Sequence, residues 1–332
     1  VGRVKCGNVE YGRNETDESG VKPVSLGRVC VVMPTYNERE NLEPTLSELF
    51  ARNPGIDVLI VDDSSPDGTG HAADVISRVI AARTGVPGMR VLAKTNSPLS
   101  GAAPATGLEC FVDEQGAPVF ASSDASVSTE EVARAHRVNQ CTNGSHLHVL
   151  HRKAKQGLGS AYVQGFSWAL AHHYDVICEM DMDGSHRPAD LRRILGELER
   201  HPEVDVVLGS RRVPGGRTED WPWYRDAISR AGSLYSRVML GLDIRDMTSG
   251  FRAYRASVLR RIDLSSIEAN GYVFQIDMTR RVIEAGAIVK EVPITFPERT
   301  RGHSKMDGAI VREAMSRVTR WGLQRRFKRN KR

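Results

Sequence analysis

Residues 27–63 read GRVCVVMPTYNERENLEPTLSELFARNPGIDVLIVDD, and this stretch decides the fold. VCVVM is an apolar run at strand length that stops at Pro34. Leu42, Leu46, Leu49 and Phe50 then recur at helical spacing. IDVLIV is a second apolar run, ending in Asp62 and Asp63. Strands apolar on both sides fit a sheet buried on both faces. Strand, helix and strand at this spacing predict an α/β fold with a parallel, doubly wound sheet.

The pattern continues outward. GHAADVISRVIAAR is a helix, and LHVLHR, VICEMDMDG, VDVVLGSR and IVKEVPITF are predicted strands. Helices are predicted over GSAYVQGFSWALAH, PADLRRILGELER, ISRAGSLYSRVMLG and GYVFQIDMTRRVIEAG, with Pro188 opening the second of them. SGFRAYRASVLRRI reads as a strand turning into a helix, and DGAIVREAMSRVTRWGLQRRF as a terminal amphipathic helix. Residues 95–145 are rich in Ser, Ala, Gly, Pro and Asn and keep no long amphipathic pattern. They read as a mostly disordered insertion that loops out, holding a short helix at STEEVARAHRV capped by Ser128 with Glu131 three residues on. The organisation is a mobile leader at 1–27, one domain at 28–321 and a basic tail at 322–332.

Charge narrows the classes of function. The 332 residues carry a net +5, yet residues 301–332 alone carry +9 and the first 300 carry −4. The anionic partner is therefore expected at the C-terminal end. No basic platform interleaved with aromatics is present, so nucleic acid is not expected. No run approaches the roughly 20 apolar residues of a membrane span, and the first residues lack the apolar core of a signal peptide. Five cysteines without a CxxC pair argue for a reducing, cytoplasmic setting and against a zinc site. His146, His148 and His151 approach metal spacing but lack a carboxylate partner. No GxGxxG follows the first strand, and GLGSAYVQG lacks the Lys-Ser/Thr of a P-loop.

Acids at strand ends carry the chemistry. Asp62-Asp63 follow VLIV, and Asp181-Met182-Asp183 follow VICEM. Open α/β sheets place ligand crevices at such ends. Two carboxylates two residues apart can hold one hard cation, Mg²⁺ or Mn²⁺, together with phosphate oxygens. A lone DxD is as readily a helix cap or a surface ion pair.

The motifs VVMPTYNERENL, VDDSSPDGT, DMDG, GSR, SGFRAYR, GYVFQID and RGHSK occur in that order. Together they resemble family 2 glycosyltransferases of the GT-A (Rossmann-like) fold, and within them the actinobacterial type of polyprenyl-phosphate (dolichol-phosphate) mannose synthases. The resemblance spans roughly residues 27–90 and 147–321. It implies a single domain with a mostly parallel central sheet.

The resemblance assigns roles residue by residue. Pro34, Tyr36 and Glu38 match the motif that holds base and ribose, and Asp62 or Asp63 the acid that follows. Asp67, Gly68 and Thr69 match a structural turn and helix cap. Lys155 stands where relatives have a basic residue near the donor, or is a solvated lysine. Asp181 and Asp183 match the metal-binding DxD, with Ser185 where some relatives have a glutamine ligand. His186 is either a ligand or part of the site wall. Arg211, Arg225 and Ser229 match positions facing the acceptor phosphate. Gln275 and Asp277 match an acceptor-side motif that meets the sugar or metal shell, although a helix would splay them. Arg301, Ser304 and Lys305 match a loop closing on the diphosphate.

The implied activity is metal-dependent, inverting transfer of mannose from GDP-mannose to a polyprenyl phosphate, with Asp183, Arg211 and Arg225 as catalytic groups. The alternatives are transfer of glucose or another hexose, and a non-catalytic nucleotide-sugar or nucleic-acid binding module. A lipid acceptor implies a peripheral enzyme on the inner face of a membrane, and a separate membrane-protein anchor stays open. Val311, Met315, Val318, Leu323 and Phe327 interleave with six bases, as in an interfacial amphipathic helix.

Overall fold

The computed structural model describes residues 25–84, 110–112, 118–120, 127–267, 272–299 and 308–329. Its strands are β1 Val29–Thr35, β2 Asp57–Asp62, β3 Cys110–Val112, β4 Pro118–Phe120, β5 Leu147–His151, β6 Val176–Glu179, β7 Val206–Ser210, β8 Arg217–Glu219, β9 Arg252–Arg255, β10 Val289–Pro293 and β11 Thr295–Pro297. The helices are α1 Arg39–Arg52, α2 Thr69–Thr84, α3 Thr129–Asn139, α4 Leu158–Ala171, α5 Pro188–Arg200, α6 Trp223–Leu240, α7 Ala256–Leu259, α8 Tyr272–Glu284 and α9 Gly308–Arg329.

Seven strands form the central sheet in the order β10-β7-β9-β6-β1-β2-β5. All neighbours are parallel except β9, which runs antiparallel between β6 and β7. The mostly parallel α/β sheet is thus the expected one, with a single reversed strand. Side chains alternate along each strand, so β1 and β2 feed both faces. Val31, Met33, Val58 and Ile60 pack with Leu42, Leu46, Leu49 and Phe50 of α1 and with Ile76 and Val79 of α2. Cys30, Val32, Leu59 and Val61 pack on the other face with Tyr162, Phe166, Phe274 and Met278. Full burial of each such aliphatic side chain contributes about 1.5–3 kcal/mol. α4 approaches the sheet closely because residue 165 is glycine: a Cβ there would sit 2.3 Å from Val32 Cγ1.

Three boundary expectations change. The stretch 95–145 contains described structure: the antiparallel pair β3–β4, and α3 with a complete Ser128–Glu131 capping box. Ala135 and Val138 of α3 are buried in the main core, and Arg39–Glu131 and Arg137–Glu43 ion pairs tie α3 to α1. Residues 127–145 therefore belong to the body and do not loop out. At the other end, α9 continues past residue 321 without a break. Gly322 is buried against the Met239 carbonyl, so 322–329 are not a separate tail. Finally, α9 is a packed helix: Val318 is in the core, while Met315 and Leu323 are exposed. The side chains of Val311 and Phe327 lie outside the described set, as do residues 1–24 of the expected leader.

Candidate active site

β1, β2 and β6 all end on one edge of the sheet, and the chain leaves each of them through polar residues. After β6, the peptide N–H of Asp181 donates to His186 Nδ1 at 2.8 Å, so that nitrogen carries no proton and is not free to take a metal. Tyr162, fully buried on α4, donates its hydroxyl to Asp181 Oδ1 at 2.8 Å. Asp183 receives the Ser185 hydroxyl at 2.6 Å and the Ser185 N–H at 3.0 Å on Oδ1. Its Oδ2 faces Arg299 Nε at 2.7 Å. Burial and the neighbouring Asp183 push the Asp181 carboxyl above the usual range. Glu38 is also raised, first by burial and then by Asp183 and Asp181, which places it in the same field. Burial lowers His186.

A carboxyl raised by a neighbouring carboxylate fits a hard cation, which would relieve that repulsion. Among the described residues, no cluster of three or more His, Cys, Asp or Glu side chains forms a ready-made cage. Such a cation would therefore need oxygens from elsewhere. The Ser185 hydroxyl, expected as a third ligand, gives its proton to Asp183 and so orients that carboxylate.

The two acids after β2 have separate jobs. Asp62 accepts from the Thr35 hydroxyl at 3.2 Å and from the N–H and hydroxyl of Ser65, at 3.1 and 2.5 Å. That pattern fixes the turn after β2, and leaves Asp63 as the acid turned toward the β5–α4 loop. There Asp63 pairs with the buried Arg152 and accepts from the N–H groups of Gln156 and Gly157, each at 3.3 Å. Asp67 takes the Thr69 N–H and hydroxyl, capping α2. Lys155 Nζ sits 3.7 Å from the centre of the Tyr36 ring, which joins those two side chains. Pro34 is half-buried in β1 beside Val61.

Across β9 stands a basic group. Arg211, directly after β7, is gripped by Asp246 through Nε at 2.8 Å and Nη2 at 2.7 Å, with the Thr248 hydroxyl 2.9 Å from Nη2. The guanidinium holds the buried Asp246 carboxyl down at about 2. Arg225, in the first turn of α6, pairs with Glu298 and lies 4.0 Å from the Trp221 ring centre. Arg211 lies 5.6 Å from the same ring and 5.1 Å from Phe296. Phe296 in turn meets His186 edge-on at 5.3 Å, connecting the arginines to the acids.

Several sequence assignments change here. Ser229 accepts from Arg212 Nη2 at 2.9 Å, which makes Arg212 the base beside it. Arg212 is also bound to Asp226 at 2.6 Å. Asp277 does not join Gln275: its oxygens are taken by Arg280 and Arg281 on its own helix, at 2.5 and 2.9 Å. Gln275 is buried and donates to Glu179 Oε2 at 2.7 Å, while its Oε1 has no hydrogen-bond partner. A Cβ on Gly250 would lie 3.2 Å from the Gln275 amide nitrogen, so glycine admits that side chain beside His186. Arg301, Ser304 and Lys305 lie outside the described residues. The sequence reading missed Arg152, Arg212, Asp246 and Arg299. It also took Tyr162 for a core residue only, since nothing in its helical spacing announces a hydroxyl aimed at Asp181.

The doubly wound sheet, the paired acids at its strand ends and the facing arginines define an enzyme of GT-A architecture. A solved glucosyl-3-phosphoglycerate synthase from Mycobacterium tuberculosis, in complex with Mn²⁺, UDP-glucose and phosphoglyceric acid, has this fold. It superposes with a TM-score of 0.52 at 14% identity, over 94% of this chain and 86% of that one. The chain belongs to glycosyl transferase family 2, whose profile matches residues 30–103 and 119–263. It is 45% identical over 300 residues to the undecaprenyl-phosphate mannosyltransferase of Micrococcus luteus, covering 90% of this chain and 96% of that protein. It is 39% identical over 323 residues to the polyprenol monophosphomannose synthase of Mycolicibacterium smegmatis, covering 97% and 96%.

Proposed function

We propose that the protein transfers mannose from GDP-mannose to a polyprenyl phosphate, with inversion, giving a β-linked polyprenyl-phosphate mannose. The observation that carries this reading is the opposition of the paired acids after β6 to Arg211 after β7, across β9, with Arg225 sharing the Trp221 ring with Arg211. The names of the two bacterial relatives support mannose and a polyprenyl phosphate; the guanine nucleotide rests on the motif resemblance alone.

Asp181 and Asp183 are the residues that would hold a divalent cation, Mg²⁺ or Mn²⁺, whose positive charge would offset the diphosphate leaving group. Tyr162 and Ser185 fix the two carboxylates in place. Arg299 supplies a further positive charge beside Asp183. Arg211, locked by Asp246, and Arg225 grip oxygens of the acceptor phosphate and aim another at the anomeric carbon. A phosphate monoester is already ionised near neutral pH, so no general base is needed. As its oxygen forms the new C–O bond, the bond to the diphosphate breaks with its electron pair. Gln275, with an open amide oxygen, offers an acceptor for a sugar hydroxyl.

Transfer of labelled sugar to a short polyprenyl phosphate, comparing GDP-mannose with UDP-glucose, with Mg²⁺, Mn²⁺ or EDTA, tests the proposal. Mannose transfer that EDTA abolishes is expected. Preference for UDP-glucose would replace the hexose, and binding without transfer would make the chain a nucleotide-sugar binding module. Among the described residues no helix is long and apolar enough to cross a membrane. The lipid acceptor therefore implies a peripheral position on the inner face, with or without a membrane-protein anchor.

A further inference from the structure

A carboxylate without access to solvent lies two residues before Asp181. Glu179, at the end of β6, is fully buried, and so are Arg252, directly opposite it on β9, and Tyr254 two residues further along that strand. An apolar side chain would fill this place at less cost than a buried charge, and Ile177, on the same face of β6, is one. The bonds show what the charge does. Arg252 has donors only, and its Nη1 lies 3.3 Å from the Tyr254 hydroxyl, which therefore accepts there. The one proton of Tyr254 goes to Glu179 Oε1 at 2.8 Å. Glu179 Oε2 then takes the side-chain NH₂ of Gln275, on α8, at 2.7 Å. A carboxylate only accepts, so the amide cannot turn over, and the end left without a partner is its carbonyl oxygen.

This amide lies beside the acids. A Cβ on Gly250 would come within 3.2 Å of the Gln275 amide nitrogen and 3.8 Å of His186 Cε1, and His186 accepts the Asp181 N–H. Phe274, next to Gln275, stacks at 5.8 Å on Tyr162, whose hydroxyl holds the Asp181 carboxylate. Gln275 is only 3% exposed. A buried amide oxygen without a hydrogen bond is uncommon and costly, and a donor brought by a ligand would satisfy it.

We propose that Glu179 is a positioning residue: it holds Gln275 with its carbonyl oxygen toward the transferred hexose, so that the site reads one sugar hydroxyl as a donor. The inference rests on the transferase reading above, and adds the polarity of one sugar contact and the group that sets it. Glu179→Gln would put an NH₂ where Oε2 stands. Tyr254 still needs an acceptor, so that NH₂ faces Gln275, whose amide turns over and offers the sugar a donor. Exchanging the two side chains, Glu179→Gln/Gln275→Glu, restores an acceptor. The NH₂ at position 179 then bonds one carboxylate oxygen and leaves the other for the hydroxyl, with the buried charge kept.

The test compares kcat/KM for GDP-mannose with that for analogues lacking each sugar hydroxyl in turn. If UDP-glucose is the better donor, its deoxy analogues are used. The proteins are wild type, Glu179→Gln, Gln275→Leu and the exchange. Burial lifts the Glu179 carboxyl to about 7 against the pull of Arg252, Gln275 and Tyr254, so assays at about pH 8.5 keep it ionised. Wild type should discriminate against one deoxy analogue by roughly tenfold more than either single variant does. The exchange should recover that discrimination, with melting curves showing that each protein is folded. A role in stability alone would lower all rates together and leave the ratios unchanged, and that result would overturn the inference. A folded exchange that stays indifferent to the hydroxyl would equally remove Glu179 from the role. Should Glu179→Gln fail to fold, Gln275→Leu and the exchange decide. Wild type that turns over no nucleotide hexose would instead remove the transferase reading.

Discussion

Arg299 presents its Nε 2.7 Å from Asp183 Oδ2, so a side-chain cation sits on the carboxylate best placed to take a metal. The two cations compete for one oxygen. Arg299→Ala should bind Mn²⁺ more tightly in the absence of nucleotide, by up to about fivefold if this partly exposed ion pair is worth up to about 1 kcal/mol. Isothermal titration of both proteins measures this, and equal affinities would show that the pair does not compete.

Asp183→Asn keeps the shape of the side chain and removes the charge. Transfer should fall by at least a hundredfold while the fold survives, because asparagine can keep the bonds from Ser185 and gives up the Arg299 pair together with the repulsion from Asp181. Near-normal turnover would remove Asp183 from the reaction.

Asp246→Asn should act through Arg211. The pair is buried on both sides, and removing one partner of such a pair typically costs about 3–5 kcal/mol. Transfer should fall along with stability, and the variant should lose the acid sensitivity that Asp246 confers. A depressed carboxyl contributes stability above its unfolded pKa and loses it as the pH falls toward about 2. Wild type should therefore weaken between pH 4 and pH 2 by about 2 kcal/mol more than the variant, read from urea midpoints.

His148 gives a second pH window far from the site. Burial lowers it to about 4, and its Nε2 lies 3.1 Å from the Tyr174 hydroxyl, which donates to Asp57 at 2.7 Å. Because Tyr174 gives its proton to Asp57, His148 must donate from Nε2. The unfolded chain binds a proton here between about pH 6.5 and pH 4 while the folded one does not, so stability falls as the pH drops through that range. His148→Gln should flatten this slope in thermal melts without changing transfer at pH 7.5.

Gly165→Val should be among the most damaging single changes. The added Cβ meets Val32 Cγ1 at 2.3 Å and Val61 Cγ2 at 3.3 Å, so α4 must lift from the sheet. A loss of about 1–3 kcal/mol is the usual cost of overpacking, and calorimetry would read it directly.

The fold was readable where local pattern and burial agree. VCVVM and VLIV are apolar throughout because both faces of the sheet are covered, and the acids that follow stand where a parallel strand must emerge. The direction of β9 was not readable, since an apolar strand pattern is the same either way. Nor was the partnership of Arg211 with Asp246, which lie 35 residues apart and meet only after β9 has turned back. α3 shows both sides. Its capping box is local and visible, whereas its burial depends on α1 and α2, so composition alone placed it in an insertion.

The reversed strand has a consequence for distance. β9 separates β6, which leads to the paired acids, from β7, which leads to Arg211. Two inter-strand steps amount to about 9.6 Å. Under the proposed transfer, the attacking and leaving oxygens flank a single anomeric carbon, so the sheet carries the acids and the arginine to either side of one reacting atom, with side chains and phosphates filling the rest of the interval. A substitution that changes side chains but keeps the strand order would leave that backbone spacing intact.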